Sequence, residues 1–323
     1  MSLNLSTLSK SFTERFELGR ILGEGSFGVV YEATDKTNYT RVAVKFLLHG
    51  DEETKERFIT EAKLAASVKH KNIVSVIDWG SSQSQLYIVY EYIDGSSLRS
   101  LLDKESISVT RTKAIVKDIA KALSHLHKNS IIHRDVKPEN IIISNEGVPK
   151  LTDLGIAKSL LGIGMKTKTG VIVGTPQYMA PEIITGKKPS GSADVYSLGV
   201  ILYELLAGKR PFAGEIQQLI KSHIDAEIPS LPQNVSPVLA KLTQHMMRKN
   251  PDGRPTTKEV VDWLSGKRAA SGVIKTQMVK SSINQKLPAP PTPPKSKRGP
   301  LLFLLLLIGT VAYAAYVGVK GPE

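Results

Sequence analysis

The chain has 323 residues, of which 41% are hydrophobic and 23% are charged. This composition is typical of a globular protein and excludes a disordered or fibrous chain. The absence of cysteine excludes structural disulfides, zinc–thiolate sites, thiol catalysis and iron–sulfur clusters. The formal charge is +13, but eight of the basic residues lie in the segment 266–300, which has no acidic residue. Residues 1–265 carry only +5, so we expect no nucleic-acid partner.

Two predicted strands flank a glycine-rich loop near the N-terminus. The first covers 15–22, the loop Gly23-Glu-Gly-Ser-Phe-Gly28 has the spacing GxGxxG, and the second strand continues to Asp35. A dinucleotide-binding loop would be followed by a helix and by an acidic residue about 20 positions later, where this chain has Lys45. The pattern therefore fits a β-hairpin whose glycine backbone lies against nucleotide phosphates, or an ordinary hairpin in which the glycines serve a tight turn.

A lysine and a glutamate downstream of this hairpin could form a pair in a nucleotide site. Lys45 lies on the same face as Ala43 in the predicted strand 41–46, because side chains alternate along a strand. Glu61 lies in the predicted helix 53–68, beside its apolar stripe, and can lean inward. The pair could hold Lys45 on the α- and β-phosphates of a nucleotide, whereas an edge-strand lysine and a solvated glutamate are the alternatives.

The segment His133-Arg-Asp-Val-Lys-Pro-Glu-Asn140 follows a predicted helix over 109–128 and brings several polar side chains close together. Further motifs follow in the order Asp153-Leu-Gly155, Gly174-Thr-Pro-Gln-Tyr-Met-Ala-Pro-Glu182, the Asp194 of Asp-Val-Tyr-Ser-Leu-Gly, and Arg254. With the glycine loop, Lys45 and Glu61, these motifs resemble those of the eukaryotic-like Ser/Thr protein kinases, of the bacterial membrane-anchored type. The resemblance covers nearly all of residues 12–264.

This resemblance implies an α+β protein with the two-lobed protein-kinase fold, followed by a C-terminal transmembrane helix. A small β-rich lobe over about 12–91 and a mainly helical lobe over about 96–264 would hold ATP in the cleft between them. The implied activity is transfer of the ATP γ-phosphate to Ser/Thr hydroxyls of protein substrates. A pseudokinase scaffold that binds nucleotide without transfer, and a small-molecule kinase of related fold, are the alternatives.

The resemblance gives a role to each polar group of the catalytic segment. Asp135 would accept or orient the proton of the substrate hydroxyl, and Lys137 would contact the γ-phosphate and favour Ser/Thr over Tyr acceptors. Asn140 and Asp153 would supply oxygen ligands to Mg²⁺, with Mn²⁺ as an alternative ion. Leu154 departs from the phenylalanine that is common at this position, but it stays apolar and leaves the metal ligand intact.

The resemblance also implies which residues surround ATP. Residues 91–95 would form the hinge whose backbone meets adenine, and Tyr90 would be the gatekeeper that precedes it. The nucleotide-binding residues implied in this way are Leu22, Gly23, Gly25, Gly28, Val30, Ala43, Lys45, Glu91 and Ile142.

The activation segment, residues 153–182, would carry the substrate-binding and regulatory positions. Thr175 and the stretch 178–182 resemble the part that seats the acceptor peptide, and Glu182 would form the family's buried ion pair with Arg254.

Autophosphorylation of the activation segment is a further expectation. Phosphate on Thr167 and Thr169 would add charge that pairs with Arg134 and orders the loop, whereas unmodified polar loop residues are the alternative. Related kinases often activate by pairing in trans, which would require a homodimer, but the sequence itself does not decide the oligomeric state.

The C-terminal part of the chain has the composition of a linker followed by a membrane span. Residues 265–300 are basic and proline-rich, and residues 301–319 contain no charge. A helix over the latter segment spans about 28 Å, which is close to the hydrocarbon core of a bilayer, whereas a buried core helix is the alternative.

Basic residues just before this predicted span indicate its orientation. Lys295, Lys297 and Arg298 place their side of the bilayer, and the kinase domain with it, in the cytoplasm. We therefore expect a single-pass protein of the cell membrane with an N-terminal tail over 1–11 and a short extracytoplasmic tail over 320–323.

Overall fold

The structure, which is a computed structural model, describes residues 8–25, 28–48, 52–83, 85–154 and 176–267. Contacts divide the chain into two units, Met1–Thr276 and Gln277–Glu323, and the described residues all belong to the first. Within the described ranges, no helix is long and apolar enough to cross a membrane. The predicted span 301–319 and nearly all of the predicted linker lie outside those ranges, so both remain predictions.

The smaller lobe combines five strands with two helices. Its elements are α1 (Lys10–Arg15), β1 (Phe16–Gly25), β2 (Gly28–Asp35), β3 (Thr40–Leu47), α2 (Glu52–Ala66), β4 (Val76–Ser82) and β5 (Gln85–Glu91). The strands form one antiparallel sheet in the order β1-β2-β3-β5-β4. The strands expected at 15–22 and 41–46 and the helix expected at 53–68 are present, with ends shifted by one to three residues.

The two faces of this sheet differ in burial. On β3, Val42, Val44 and Phe46 are at most 1% exposed, whereas Ala43 and Lys45 are only half-buried. Because side chains alternate along a strand, one face belongs to the apolar core and the other is open to the cleft. The predicted alternation is confirmed, and it puts Lys45 on the cleft side.

Helix α1 ends at Arg15, the expected first residue of the first strand, so that strand begins one residue later, at Phe16. Ser9 caps the helix by accepting a hydrogen bond from the amide of Phe12. The Phe12 ring then packs against Phe16, Phe46 and Tyr87 at centroid distances of 5.1, 5.5 and 4.9 Å. A helix of six residues is too short to be stable alone, so the aromatic cluster on the outer face of the sheet holds it.

The larger lobe is mainly helical. Its elements are β6 (Gly95–Ser97), α3 (Leu98–Leu102), α4 (Val109–Lys128), β7 (Ile141–Ser144), β8 (Pro149–Leu151), α5 (Pro181–Ile184), α6 (Gly191–Ala207), α7 (Ile216–Asp225), α8 (Pro237–Met246) and α9 (Thr257–Leu264). Single 3₁₀ turns occur at Pro138–Asn140, Pro176–Tyr178 and Pro251–Gly253. Strands β6, β7 and β8 form a small antiparallel sheet in that order.

Two long helices carry the core of this lobe. Helix α4 has the bounds that the sequence predicts, because Ser108 caps its start and apolar residues recur on one face. Helix α6 is buried along most of its length and packs against α4 and α8. Its apolar composition on nearly all sides is what a central helix requires.

The connection between α2 and β4 is bound to the larger lobe. Asn72 is fully buried, donates from Nδ2 to the carbonyl of Pro149 at 2.8 Å and accepts the Leu151 amide at 2.9 Å. Val74 donates in turn to the carbonyl of Leu151 at 2.9 Å. These bonds join the smaller lobe to β8, the strand that leads directly to Asp153.

Candidate active site

The glycine hairpin covers the cleft from the smaller lobe. Gly25 pairs with Gly28 at the end of the β1–β2 ladder, and Gly23 pairs with Val30. Val30 in turn lies opposite Lys45 on β3, so the hairpin and the lysine occupy neighbouring positions on one sheet. This register is the strand–loop–strand arrangement that the GxGxxG segment predicts, and it differs from a strand–loop–helix dinucleotide site.

A close backbone contact explains one of these glycines. A Cβ on Gly28 would collide with the carbonyl oxygen of Phe46 on β3, whereas a Cβ on Gly23 or Gly25 would meet no atom within 4 Å. Gly28 therefore sets how closely β2 approaches β3. The open space around Gly23 and Gly25 leaves their backbone accessible for a ligand.

Lys45 forms an ion pair across the cleft with Asp153. The Lys45 Nζ lies 2.6 Å from Asp153 Oδ1. Packing of protein atoms around the carboxyl opposes its ionisation, but the charge and hydrogen bond of Lys45 outweigh this effect, so the pKa of Asp153 lies below its ordinary value. The Asp153 side chain is still 39% exposed, and its backbone has the positive φ of 55°. The carboxylate is therefore charged at neutral pH and open to the cleft.

The catalytic segment is held by hydrogen bonds among its own side chains. Asn140 Nδ2 donates to the Asp135 carbonyl at 2.8 Å and to its Oδ2 at 3.0 Å. Lys137 Nζ lies 3.2 Å from the same Oδ2. Because Asn140 uses its amide nitrogen in this way, its amide oxygen is the atom left to face a cation. The sequence-predicted residues Asp135, Lys137 and Asn140 are thus brought together.

His133 connects Asp135 to the strand that carries Asp153. Its Nδ1 accepts the Asp135 amide at 3.3 Å, and its Nε2 donates to the carbonyl of Thr152 at 3.1 Å. The ring is fully buried, and burial lowers the pKa of His133, so it stays neutral and can make both bonds. The histidine fixes the spacing between the two carboxylates that the chemistry uses.

Asp194 anchors this segment from α6. The carboxylate is 1% exposed and accepts the amides of His133 and Arg134 at 2.9 and 2.8 Å, together with His127 Nε2 at 2.8 Å. Arg134 has a positive φ of 67°, a strained conformation for a residue with a side chain, which these bonds stabilise. The sequence indicated Asp194 only as part of a motif, and its role depends on contacts about 60 residues apart in the chain.

Arg134 is the expected partner of a phosphorylated activation loop. Its Nε is buried and has no hydrogen-bond partner among the described residues, and burial lowers the pKa of the guanidinium. The expected phosphorylation sites Thr167 and Thr169, and also Thr175, lie outside the described residues. The same holds for the side chain of Glu61 on α2, so its pairing with Lys45 remains a prediction.

The hinge is fixed by the side chain of Glu91. Its Oε1 accepts the Ser75 amide at 2.8 Å and lies 2.9 Å from Lys150 Nζ, while the Glu91 amide donates to the Ser75 carbonyl at 3.0 Å. Tyr90, the expected gatekeeper, is 7% exposed beside it. The family resemblance implies a role only for the backbone of Glu91, and no local pattern indicates Lys150.

The remaining predicted nucleotide contacts line the same cleft. Leu22 is 39% exposed at its rim on β1, and Ala43 is half-buried on β3 opposite Tyr90. Ile142 lies on β7 opposite Lys150 and approaches from the larger lobe. Leu154 is 5% exposed and belongs to the core of that lobe, as expected for an apolar residue next to Asp153.

The acceptor side of the larger lobe contains the predicted buried ion pair. Arg254 NH1 and NH2 lie 2.6 and 2.8 Å from the two carboxylate oxygens of Glu182, and neither side chain is more than 4% exposed. A second group was missed by the sequence analysis: Glu204 accepts Tyr178 Oη at 2.6 Å and Arg99 NH1 at 2.9 Å. The signal for it is an acidic residue, Glu204, within the apolar C-terminal half of helix α6.

Asn140 and Asp153 fit a hard divalent cation. The two lie close together, because the amide of Thr152 donates to the carbonyl of Asn140 at 2.9 Å. Amide and carboxylate oxygens are ligands that Mg²⁺ prefers, and Mg²⁺ in phosphate sites commonly takes only one or two carboxylates from the protein. Over the described ranges no cluster of three or more His, Asp or Glu residues could hold a metal ion, and a site of this kind does not need one.

Comparison with known proteins agrees with this geometry. The family model for the protein kinase domain matches residues 16–263. The chain is 38% identical over 269 residues to the serine/threonine-protein kinase PknA of Mycobacterium tuberculosis, which covers 79% of this chain and 62% of that protein. It is 38% identical over 264 residues to the serine/threonine-protein kinase PknB of Mycolicibacterium smegmatis. It is 37% identical over 263 residues to PknB of Mycobacterium leprae. Each of these two matches covers 78% of this chain and 42% of the relative. The chain therefore spans less than two thirds of these relatives. With the described lobes and cleft, these matches show that the chain belongs to the protein kinase domain family and resembles its serine/threonine-specific members.

Proposed function

We propose that this chain is a serine/threonine protein kinase that transfers the γ-phosphate of ATP to Ser/Thr hydroxyls of protein substrates. The observation that carries the proposal is the arrangement of Asp135, Lys137 and Asn140 in one hydrogen-bonded group. His133 links this group to the Asp153 strand. The matches to serine/threonine-protein kinases support the choice of acceptor.

The geometry supports an in-line transfer. The oxygen of the acceptor hydroxyl bonds to the γ-phosphorus of ATP while the bond from that phosphorus to the β–γ bridging oxygen breaks, and ADP leaves. Asp135 accepts the hydroxyl proton or orients it, and Lys137 beside it offsets the charge on the transferred group. Lys45, which lies opposite Val30 of the glycine hairpin, would bind the inner phosphates. Mg²⁺ bound by Asn140 and Asp153 would neutralise phosphate charge.

Label transfer from γ-labelled ATP by the full chain, purified in detergent with Mg²⁺, tests this activity. We expect labelled phosphoserine or phosphothreonine from the wild type and none from Asp135→Asn or Lys45→Met. Asp252→Asn and Lys113→Met are matched controls, because both residues are exposed and lie away from the cleft. A wild type that binds ATP but transfers no phosphate would contradict the proposal and favour a nucleotide-binding scaffold.

Regulation by the activation loop is the second part of the proposal. The buried Nε of Arg134 has no hydrogen-bond partner among the described residues, which supports this part, because a phosphate on Thr167 or Thr169 would offer that arginine an acceptor. We expect the Thr167→Ala/Thr169→Ala double variant to lose most of its activity. Full activity in the double variant, purified without phosphate, would contradict autophosphorylation as the activating step, and a linear dependence of activation rate on enzyme concentration would support pairing in trans.

Attachment to a membrane is the third part. It is supported by the uncharged sequence 301–319 and by the three basic residues at 295, 297 and 298. The kinase domain would then lie on the cytoplasmic face of the cell membrane, with the lipid bilayer as a partner. Alkaline extraction of cell membranes measures this directly. The full chain should remain in the pellet and a chain ending at residue 300 should be released, whereas release of both would exclude the span.

A further inference from the structure

A buried histidine lies beneath the segment that follows the activation loop. His223 is on α7, is fully buried, and its ring packs edge-to-face with Tyr196 and Phe212 at 5.8 and 5.0 Å. Tyr196 Oη lies 3.0 Å from His223 Nδ1. Helix α7 also contacts the 3₁₀ turn Pro176–Tyr178, which is the described start of the acceptor segment 176–182. The histidine thus stands between α6, α7 and that segment.

The protonation of this group can be assigned from its surroundings. Burial and the nearby charge of Lys249 lower the pKa of His223 to about 4, so the ring is neutral at physiological pH. Burial raises the pKa of Tyr196, so its hydroxyl keeps its proton and donates to Nδ1. The single proton of the ring is therefore on Nε2, which can only donate.

Two complementary polar atoms in this region lack a well-formed hydrogen bond among the described residues. They are Nε2 of His223 and the side-chain oxygen Oε1 of Gln177, and both are buried. A hydrogen-bond interaction with the backbone of Gln177 raises the pKa of the His223 ring against the effect of burial, so the ring already meets this residue through its main chain and not through its side chain. Buried polar atoms are nearly always paired, and those left unpaired at functional sites often mark contacts that form in another state. One of these atoms is a donor on α7, and the other is an acceptor in the acceptor segment.

The base of this arrangement is rigid. Lys249 Nζ donates to the carbonyls of Ser222 and His223 at 2.9 Å each and stacks on Phe212 at 4.6 Å, which fixes the last turn of α7. Arg254 stacks on the Tyr196 ring at 4.8 Å while it binds Glu182. The histidine is therefore held firmly on its Tyr196 side.

We propose that His223 is a positioning residue for the protein acceptor: its Nε2–H bonds the side-chain oxygen of Gln177 when the acceptor binds, and so fixes residues 176–182 for productive binding. This inference rests on the proposed kinase function. It predicts a role in binding the acceptor and none in binding ATP, because the ring contacts Tyr196, Phe212 and Gln177, none of which is a predicted nucleotide-binding residue.

The test compares His223→Leu and His223→Gln with the wild-type full chain in detergent. His245→Leu is the matched control, since His245 is on α8 and packs against Trp263, away from the acceptor segment. Two quantities are measured: amide hydrogen exchange in 176–182, and the KM values for ATP and for a serine peptide that the wild type selects from a random library. His223→Gln keeps both a donor and an acceptor at the end of its side chain, so it should restore the exchange rate in 176–182 and the peptide KM towards their wild-type values.

We expect His223→Leu to speed exchange in 176–182 and to raise the peptide KM by about tenfold, the effect of one lost hydrogen bond, with the KM for ATP unchanged. Unchanged exchange in this segment, or an equal rise in both KM values, would overturn the proposal. A general loss of packing would speed exchange throughout the larger lobe and would also count against it. If the wild type transfers no phosphate, the proposed function fails, and the exchange measurement still decides the role of His223.

Discussion

Removal of Arg254 should destabilise the larger lobe more than any exposed ion-pair mutation. The guanidinium is fully buried and makes five hydrogen bonds: two to Glu182, and one each to the carbonyls of Arg248, Ser192 and Lys249. Arg254→Met would leave the Glu182 carboxylate, which is 4% exposed, without a counter-ion. Removal of one partner of a buried pair typically costs about 3–5 kcal/mol, because the remaining charge is not solvated.

The double variant Glu182→Gln/Arg254→Met provides the decisive comparison. Without the carboxylate there is no buried charge to compensate, so the double variant should be less destabilised than the sum of the two single variants by about 2 kcal/mol or more. Urea unfolding followed by Trp263 fluorescence, in a Trp79→Phe background that removes the other tryptophan, reports on the larger lobe, where Trp263 lies on α9. Arg111→Met is the matched control, because its bond to Glu105 is exposed and should contribute about 0–1 kcal/mol.

Two results would refute this reasoning. A cost below about 1 kcal/mol for Arg254→Met would mean that water reaches the pair and solvates Glu182. Strict additivity in the double variant would mean that the two residues contribute independently, although their nitrogens and oxygens lie 2.6 and 2.8 Å apart.

Three further predictions concern the cleft. Lys150→Met should raise the KM for ATP about threefold or more and leave the peptide KM unchanged, because the hinge residue Glu91 loses its partner. Lys150→Arg should restore the KM for ATP, since the arginine can again pair with Glu91. The lowered pKa of Asp153 adds stability that is present above its ordinary pKa of 3.8 and is lost as the pH falls through the folded value. Lys45→Met removes the charge that lowers the pKa of Asp153, so the free energy of unfolding should depend less on pH between about 5 and 3. Gly28→Ala should lower the melting temperature through its backbone clash, and Gly23→Ala should not.

Local patterns predict the parts of this fold that depend on neighbouring residues. The bounds of α4 follow from a serine cap and a regular apolar face, and the β1–β2 hairpin follows from its glycines. The pairing of Asp135 with Asn140 also spans only five residues. In each case the interacting groups are close in sequence, so that spacing alone constrains their geometry.

The features that no local pattern predicts depend on contacts between residues that are distant in sequence. The observed bond of Lys45 to Asp153 joins residues 108 positions apart, and no local spacing determines it. Helix α1 is too short for its propensity to predict it, and only the ring of Phe12 in a distant aromatic cluster makes it stable. The hydrogen bonds of Glu204 likewise depend on the position of Arg99, which lies 105 residues away in the sequence and packs beside α6.

The bonds from Asn72 to β8 give α2 a fixed end and a free end. Its C-terminal end is tied through Asn72 and Val74 to the strand leading to Asp153, whereas its N-terminal end near Glu52 has no such attachment among the described residues. A helix of 15 residues is a rigid rod about 22 Å long. If it turns about the fixed end by 10°, the far end moves by about 4 Å while the fixed end barely moves. A ligand or modification that displaces the end near Glu52 by a few ångströms would therefore turn the whole of α2 by a small angle and shift its middle, which faces the cleft, by a smaller distance.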